Sequence, residues 1–319
     1  MVVTGNEAII RYAKEASFGK FPVKGGDGAD ANDPNPDYKS WGLSQKISGL
    51  TSTEGHKPQM DVGTATVTEF TYGGRTRDFN LEWIMSEHEF FEYLLGPVKG
   101  NKYEYQNLPT YFTQEIAIAR AGGKVDDGAG NLVDSDYLVR TLKGCVLNSW
   151  SMSYGIEGEV KCNASVKCGV EDEPTSKVGK IDPPTRIRDP FTFDHAKVML
   201  TGDAAIAKVQ SVELSVNPNH QLVRTGGNAQ AVDGHKQLLE ITGKISMTLE
   251  KGVNLAYLIK RQNDAMITIM LNNLSDKMIT MVLKDISFPA HALSAIEANA
   301  LILEDVSFQA KTIEVSHAP

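Results

Sequence analysis

Val160, Cys162, Ala164, Val166 and Cys168 alternate along the chain with Lys161, Asn163, Ser165 and Lys167. Successive side chains of a strand point to opposite faces, so this stretch predicts a strand with one apolar and one wet face. With the run before it, it predicts a long hairpin from Tyr137 to Gly169, folded back at Gly155-Ile156-Glu157-Gly158. Lys277 to Lys311 has the same layout: an apolar or alternating strand, a short Pro/Ala/Ser break, and a second strand.

The same reading of periods orders the rest of the first half. Residues 1–43 hold one short apolar piece, Ala8 to Ala13, and then a Gly/Asp/Pro-rich stretch, which predicts an arm and loop that add little to a core. A strand from Ser44, a Pro/Gly-broken loop from Glu54 to Gly63, and an alternating strand from Thr64 to Tyr72 follow. Gly73-Gly74 predicts a hairpin turn into Arg75 to Ile84, where Phe79, Leu81 and Trp83 share a face. The period then becomes helical. Ser86 as N-cap, Glu87 and Glu89 in the first turn, the stripe Phe90, Phe91, Leu94 and Leu95, and Gly96-Pro97 as a stop predict about three helical turns over 86–95. A Tyr-rich connection, a strand from Tyr111 to Ala121 and an exposed loop over 122–135 lead into the hairpin.

Residues 171–205 are rich in proline and mixed charge, the composition of a surface linker, and place a boundary near Lys180. Beyond it the order restarts: a strand from Val209, a polar loop over 217–234, a strand from His235 to Leu249, a helix from Gly252 to Gln262, a strand from Ala265 to Leu271, and the closing hairpin. Phe79-Leu81-Trp83 answers to Ile245-Met247-Leu249 at an offset of about 166 residues, and Leu142-Lys143 to Leu283-Lys284 at about 141. The first copy then carries roughly 25 extra residues, which fit the 98–135 region. The expected fold is mainly β with short helices: an arm over 1–44 and two sandwich- or barrel-type domains, 45–180 and 181–319, related by internal duplication, each with one flanking helix.

Composition narrows the function. With 319 residues, 41% of them hydrophobic and 23% charged, the chain can bury a normal core. A net charge of -8 and a pI near 5.4 argue against a nucleic-acid grip, which rests on clustered Lys and Arg. Cys145, Cys162 and Cys168 cannot make a disulfide framework and read as small core residues. No sustained apolar run suggests export or membrane spanning, so the expected place of synthesis is the cytoplasm. No phosphate loop and no nucleophile elbow is found. His56, His88, His195, His220, His235, His291 and His317 are scattered singly, without zinc spacing. Asp27, Asp30, Asp33 and Asp37 miss the ligand spacing of a calcium loop and read as a solvated loop. The pairs Arg75/Arg77 and Arg186/Arg188 are flanked by acid and read as salt-bridged surface rather than a phosphate patch. No catalytic residue, cofactor or metal ligand is therefore assigned.

Two segments carry a resemblance. Arg11-Tyr12-Ala13-Lys14-Glu15-Ala16-Ser17-Phe18-Gly19 and Lys143-Gly144-Cys145-Val146-Leu147-Asn148-Ser149 are similar to the opening and to a strand of tail tube proteins of long-tailed phages, in the class with two tube domains fused in one chain. The resemblance covers nearly the whole chain. It implies tail-tube-type domains whose sheets join edge to edge into rings, trimers of pseudo-sixfold symmetry, stacked as a tube that carries DNA without binding it specifically. The implied partners are the protein itself and the tape measure, terminator and baseplate proteins, with no membrane; the implied place is the virion tail, taken as flexible and non-contractile. The two long hairpins would turn their polar faces, Lys161, Asn163, Ser165 and Lys167 in the first, to an acidic lumen. The arm 1–43, the 54–63 loop and the 217–234 loop would stack rings along the axis, while the 122–135 loop would decorate the outside. Two other readings compete: a terminator, baseplate or secretion-tube relative of limited assembly, and a β-sandwich binding module such as a carbohydrate binder. The last would need clustered exposed aromatics, whereas Trp41, Trp83 and Trp150 lie far apart in sequence.

Overall fold

A computed structural model of the chain describes residues 8–20, 37–59, 69–126, 132–156, 158–177, 189–200, 204–205, 209–225, 230–248, 265–275, 277–293 and 303–318. The first half supplies β1 (Ala8–Lys14), β2 (Leu43–Gln59), β3 (Glu69–Ile84), one helical turn α1 (Phe91–Leu94), β4 (Lys102–Glu104), β5 (Phe112–Asp126), β6 (Leu132–Gly155), β7 (Lys161–Cys168), β8 (Val170–Glu171) and β9 (Thr175–Lys177). The second supplies β10 (Ala196–Leu200), β11 (Ala204–Ala205), β12 (Val209–Asn217), β13 (Gln221–Val223), β14 (Asp233–His235), β15 (Glu240–Thr248), β16 (Ile267–Asn272), β17 (Met278–Leu293) and β18 (Leu303–Ala318).

Both long hairpins form. β6 and β7 pair from Val146 opposite Lys167 to Ser153 opposite Lys161, and β17 and β18 pair from Met278 opposite Ala318 to Leu293 opposite Glu304. Around β6 the strands run β1-β5-β6-β7-β3-β2; around β17 they run β10-β16-β17-β18-β15-β12. Strand for strand, the two paths have one connectivity. Finer features coincide as well. β6 has a left-handed residue at Gly144 (φ +60) and β17 one at Asp285 (φ +54), the same distance apart in sequence as Leu142 and Leu283. Each strand then bulges, between Leu147 and Ser149 in β6 and between Ser287 and Ala290 in β17. The halves share one sheet, because β12 pairs along β6 from Ser211 opposite Gly155 to Val216 opposite Trp150. β4 adds to β18, with Tyr103 opposite Val315.

Several expectations are corrected by backbone pairing. Helix α1 is a single turn, and Ser86 does not cap it. The sheet claims the residues before it: the Met85 N–H donates to the Val160 carbonyl and the Phe191 N–H to that of Met85, which holds this stretch extended. The second expected helix, 252–262, lies outside the described residues. Gly73-Gly74 is not a turn but lies inside β3, where its register with β2 shifts between Glu54 and His56. Pro289 likewise sits at the bulge of β17 rather than ending the strand. Both follow one rule: a residue that cannot pair or pack normally is tolerated in a sheet where the ladder is already broken. Residues 54–59 belong to β2, and 123–126 pairs with 132–135, so two expected loops are largely strand.

The arm is corrected too. β1 pairs with β5 from Ala8 opposite Ile118 to Lys14 opposite Phe112, and Tyr12, Ala13 and Trp41 are buried. Tyr12 and Trp41 stand in one aromatic cluster with Trp83, Tyr93 and Phe112; the Tyr12 and Trp41 ring centroids are 4.2 Å apart. Phe90 and Phe91 extend it to Trp150. The three tryptophans therefore form core rather than a binding platform.

Register also moves one correspondence. Phe79, Leu81 and Trp83 of β3 face Val166, Ala164 and Cys162 of β7, while Gly243, Ile245 and Met247 of β15 face Phe308, Val306 and Glu304 of β18. Phe79 thus takes the place of Gly243, not of Ile245 as its apolar neighbours suggested. The large and small partners are exchanged: Phe79 against Val166 in one half, Gly243 against Phe308 in the other. A Cβ on Gly243 would stand 2.3 Å from Phe308 Cζ and 2.6 Å from the Glu213 carbonyl oxygen. Next to Phe79, the register of β3 with β2 shifts between Ser48 and Thr51.

Candidate assembly faces

Alternation along β7 buries Cys162, Ala164, Val166 and Cys168 and leaves Lys161, Asn163, Ser165 and Lys167 on the other face. Pairing then extends that polar face across neighbouring strands. Ser48, Asn80, Glu82, Ser149, Asn163 and Ser165 share one hollow; Ser153, Glu213, Ser215, Thr242, Lys244, Ser307 and Gln309 share a second; Ser151 lines both. The face is dominated by hydroxyls and amides. Among its described charges, lysines are interspersed with carboxylates: Lys46, Lys161, Lys167 and Lys244 stand with Asp78, Glu82, Glu213, Glu240 and Asp305. Neutralisation is local. Lys46 pairs with Glu82 at 3.0 Å and Lys244 with Asp305 at 2.8 Å, and Lys167 donates to the His220 carbonyl at 2.8 Å. Lysines engaged in this way offer less charge to a passing phosphate chain than solvated lysines would.

On the opposite side, the motifs behind the resemblance meet. Glu15 is buried; one carboxylate oxygen accepts from the Gly144 N–H at 2.9 Å and the Thr113 hydroxyl at 2.7 Å, the other from the Gly19 N–H at 2.8 Å. Burial raises its carboxyl above the usual range against these donors, which favour the charged form. The Phe18 ring lies over Gly144 and Gly169: a Cβ would come within 2.7 Å of it at the first and 2.2 Å at the second. Arg11 is ion-paired with buried Glu115 and stacks over Tyr38, whose hydroxyl donates to the same carboxylate at 2.7 Å. Two sequence segments more than a hundred residues apart are thus one clamp, holding β1 on the β5–β6 pair.

The 217–234 loop, expected to be free for stacking, braces the two halves in its described part. Tyr111 donates to Asp233 at 2.6 Å, and His220 donates through Nδ1 to the Leu147 carbonyl at 2.7 Å. Just beyond it, Lys236 donates to the Leu94 and Leu95 carbonyls at the end of α1, and burial lowers its ammonium to about 8. Burial, with Lys236 nearby, also lowers His220 to about 3.

Other candidate residues are redistributed. Arg77 is not surface: it is buried and bridged at 3.1 Å to Glu171, which also holds Arg140 at 2.5 Å. Arg186, Arg188, Asp27, Asp30 and Asp33 lie outside the described residues. All three cysteines are buried free thiols, and the β6–β7 register sets the Cys145 and Cys168 sulfurs 2.9 Å apart. His88 and His317 stack at 4.0 Å beside Tyr103, a meeting that no sequence spacing signalled; burial and His317 lower His88 to about 4. Among the described residues no group of three or more His, Cys, Asp or Glu is placed to hold a metal ion, and no helix is long and apolar enough to cross a membrane.

No curated protein matches the chain. A model of the phage tail tube protein family matches residues 5–310, nearly its whole length, and with the mainly β fold and the clamp built from its two motifs this places the chain in that family: it belongs to the phage tail tube proteins, the structural proteins of the virion tail.

Proposed function

We propose that the chain is the main subunit of a tail tube, polymerising as stacked rings whose channel carries DNA during ejection. The observation that carries this reading is the β6–β12 joint, where two sheets of one connectivity meet edge to edge inside a single chain. The repeated strand order, the paired left-handed residues and the paired bulges support an internal duplication, with domains near 45–180 and 181–319 after the 1–44 segment. A chain holding two such sheets makes three chains the complement of a six-sheet, pseudo-sixfold ring. The hydroxyl-rich face is assigned to the lumen, where internally paired lysines keep DNA from sticking. Further partners are the tape measure, terminator and baseplate proteins of the same tail, and the subunit is made in the host cytoplasm. No residue is assigned a catalytic, cofactor or metal role.

Negative-stain electron microscopy of the purified protein tests the reading. Rings and long tubes with an open channel are the expected result. Protein that stays monomeric over a wide range of concentration and salt overturns it, and single rings that never stack would point to a terminator-like role.

A further inference from the structure

The ring reading leaves open which edges meet between chains, and the joint within the chain answers it. β6 carries β5 on one edge as far as Cys145, and β12 takes over that edge from Trp150 to Gly155. In the second half, β16 covers the corresponding edge of β17 only as far as Leu283. The Ile286 N–H still donates to the Ala265 carbonyl at 3.3 Å, and from Ser287 to Leu293 β17 has β18 on its other side and, among the described residues, no strand on this one. At the far end of the sheet, β2 pairs, among the described residues, with β3 alone. β2 holds in the first half the place that β12 holds in the second. Among the described residues, the molecule thus carries an uncovered copy of each member of its own internal joint, one at each end.

We propose that β2 of one copy pairs antiparallel with the Ala290–Leu293 end of β17 in the next, in the register that β12 takes on β6. This inference rests on the ring reading and specifies it. The register follows from equivalent partners. Ser215 pairs with Thr242, which faces Gln309, as Thr51 pairs with Asp78, which faces Lys167. Ser151 faces Asn163 across β6–β7, as Ala292 faces Asp305 across β17–β18. Because Ser215 sits opposite Ser151 within the chain, Thr51 of one copy sits opposite Ala292 of the next, and Ser52 opposite His291. The contact is heterologous, one end of the molecule joining the other end of its neighbour, so its repetition gives a ring if the rotation closes. It also covers two sheet edges whose unpaired N–H and C=O groups are a liability in a lone subunit.

Engineered disulfides in the full chain test this. The pair Ser215→Cys and Ser151→Cys is the internal control and should crosslink within one chain whether or not rings are present. Thr51→Cys with Ala292→Cys should link chains covalently in assembled rings, at least about tenfold faster than Thr51→Cys with His291→Cys, since a one-residue slip moves the partner to the opposite face. Hydrogen exchange of the unmodified protein gives a readout free of substitutions. Amides of Lys46–Ser52 and Ala290–Leu293 should slow by about a hundredfold or more on assembly, while Val212–Val216, already paired, change little. Rings that form without protection of those two segments, or that crosslink through Thr51 and His291 in preference, overturn the proposed joint while leaving the tube reading intact. Failure of the unmodified protein to form rings overturns the tube reading, and the joint with it.

Discussion

Gly144 shows how one atom can fix a clamp. Its φ of +60 favours glycine, its N–H is held by Glu15, and the Phe18 ring occupies the space a Cβ would need. Gly144→Ala is expected to cost about 2–3 kcal/mol, from strain and overpacking together, read as a lowered urea midpoint at unchanged m. At Gly243 the Phe308 ring and the Glu213 carbonyl both crowd an added Cβ. Gly243→Ala should destabilise by roughly 1–3 kcal/mol, and adding Phe308→Val should recover only part, because the carbonyl clash remains. A double-mutant cycle by thermal unfolding measures the coupling. The depressed histidines set a pH response. His88 and His220 take up protons more readily in the unfolded chain, so stability should fall as pH drops through 6.5 toward about 4 for His88 and about 3 for His220. Glu314, held low by Lys102 and Lys284, acts in the same direction, its contribution being lost as pH falls through its lowered value. His88→Gln should flatten the upper part of this slope in urea titrations between pH 7 and 4.

At the scale of the element, β1 is the departure with the largest consequence. Its alternation is short, and the polar sequence around it masks its role, yet Tyr12 stacks within the Trp41, Tyr93 and Phe112 cluster. Tyr12→Ala should cost about 3–4 kcal/mol, as emptying a packed aromatic site does. Deletion of residues 1–43 is expected to give unfolded or aggregated protein rather than a folded subunit deficient only in polymerisation, because it removes β1, Trp41 and the Glu15 clamp together. Circular dichroism and size-exclusion chromatography of the truncated chain check this. The hairpin strands themselves were readable, since alternation of side chains directly encodes a two-faced ribbon. The ends of the strands were not: Gly73-Gly74 and Pro289 look like stops in one dimension and become bulges only when a neighbouring strand continues past them.

At the scale of the whole molecule, one sheet crosses the expected domain boundary, and the described part of the 217–234 loop ties the halves together. The β12–β6 joint, Lys236 on α1 and Tyr111 on Asp233 predict cooperative unfolding of the two halves. A single calorimetric transition whose van't Hoff and calorimetric enthalpies agree is the expected result, and two separated transitions would refute the coupling.

The sequence alone determined the mainly β class of the structure, because strand periodicity and the spacing of hairpins are local properties of the chain. It also carried the two motifs that point to the family. Tertiary structure alone decided what lies opposite what: that Glu15 reaches Gly144, that Phe79 stands against Val166 while Gly243 stands against Phe308, that Arg77 is buried on Glu171, and that lysines and carboxylates intersperse on the polar face. These depend on register. Sliding one strand by a single residue leaves its pattern unchanged but gives every side chain a new partner and a new face.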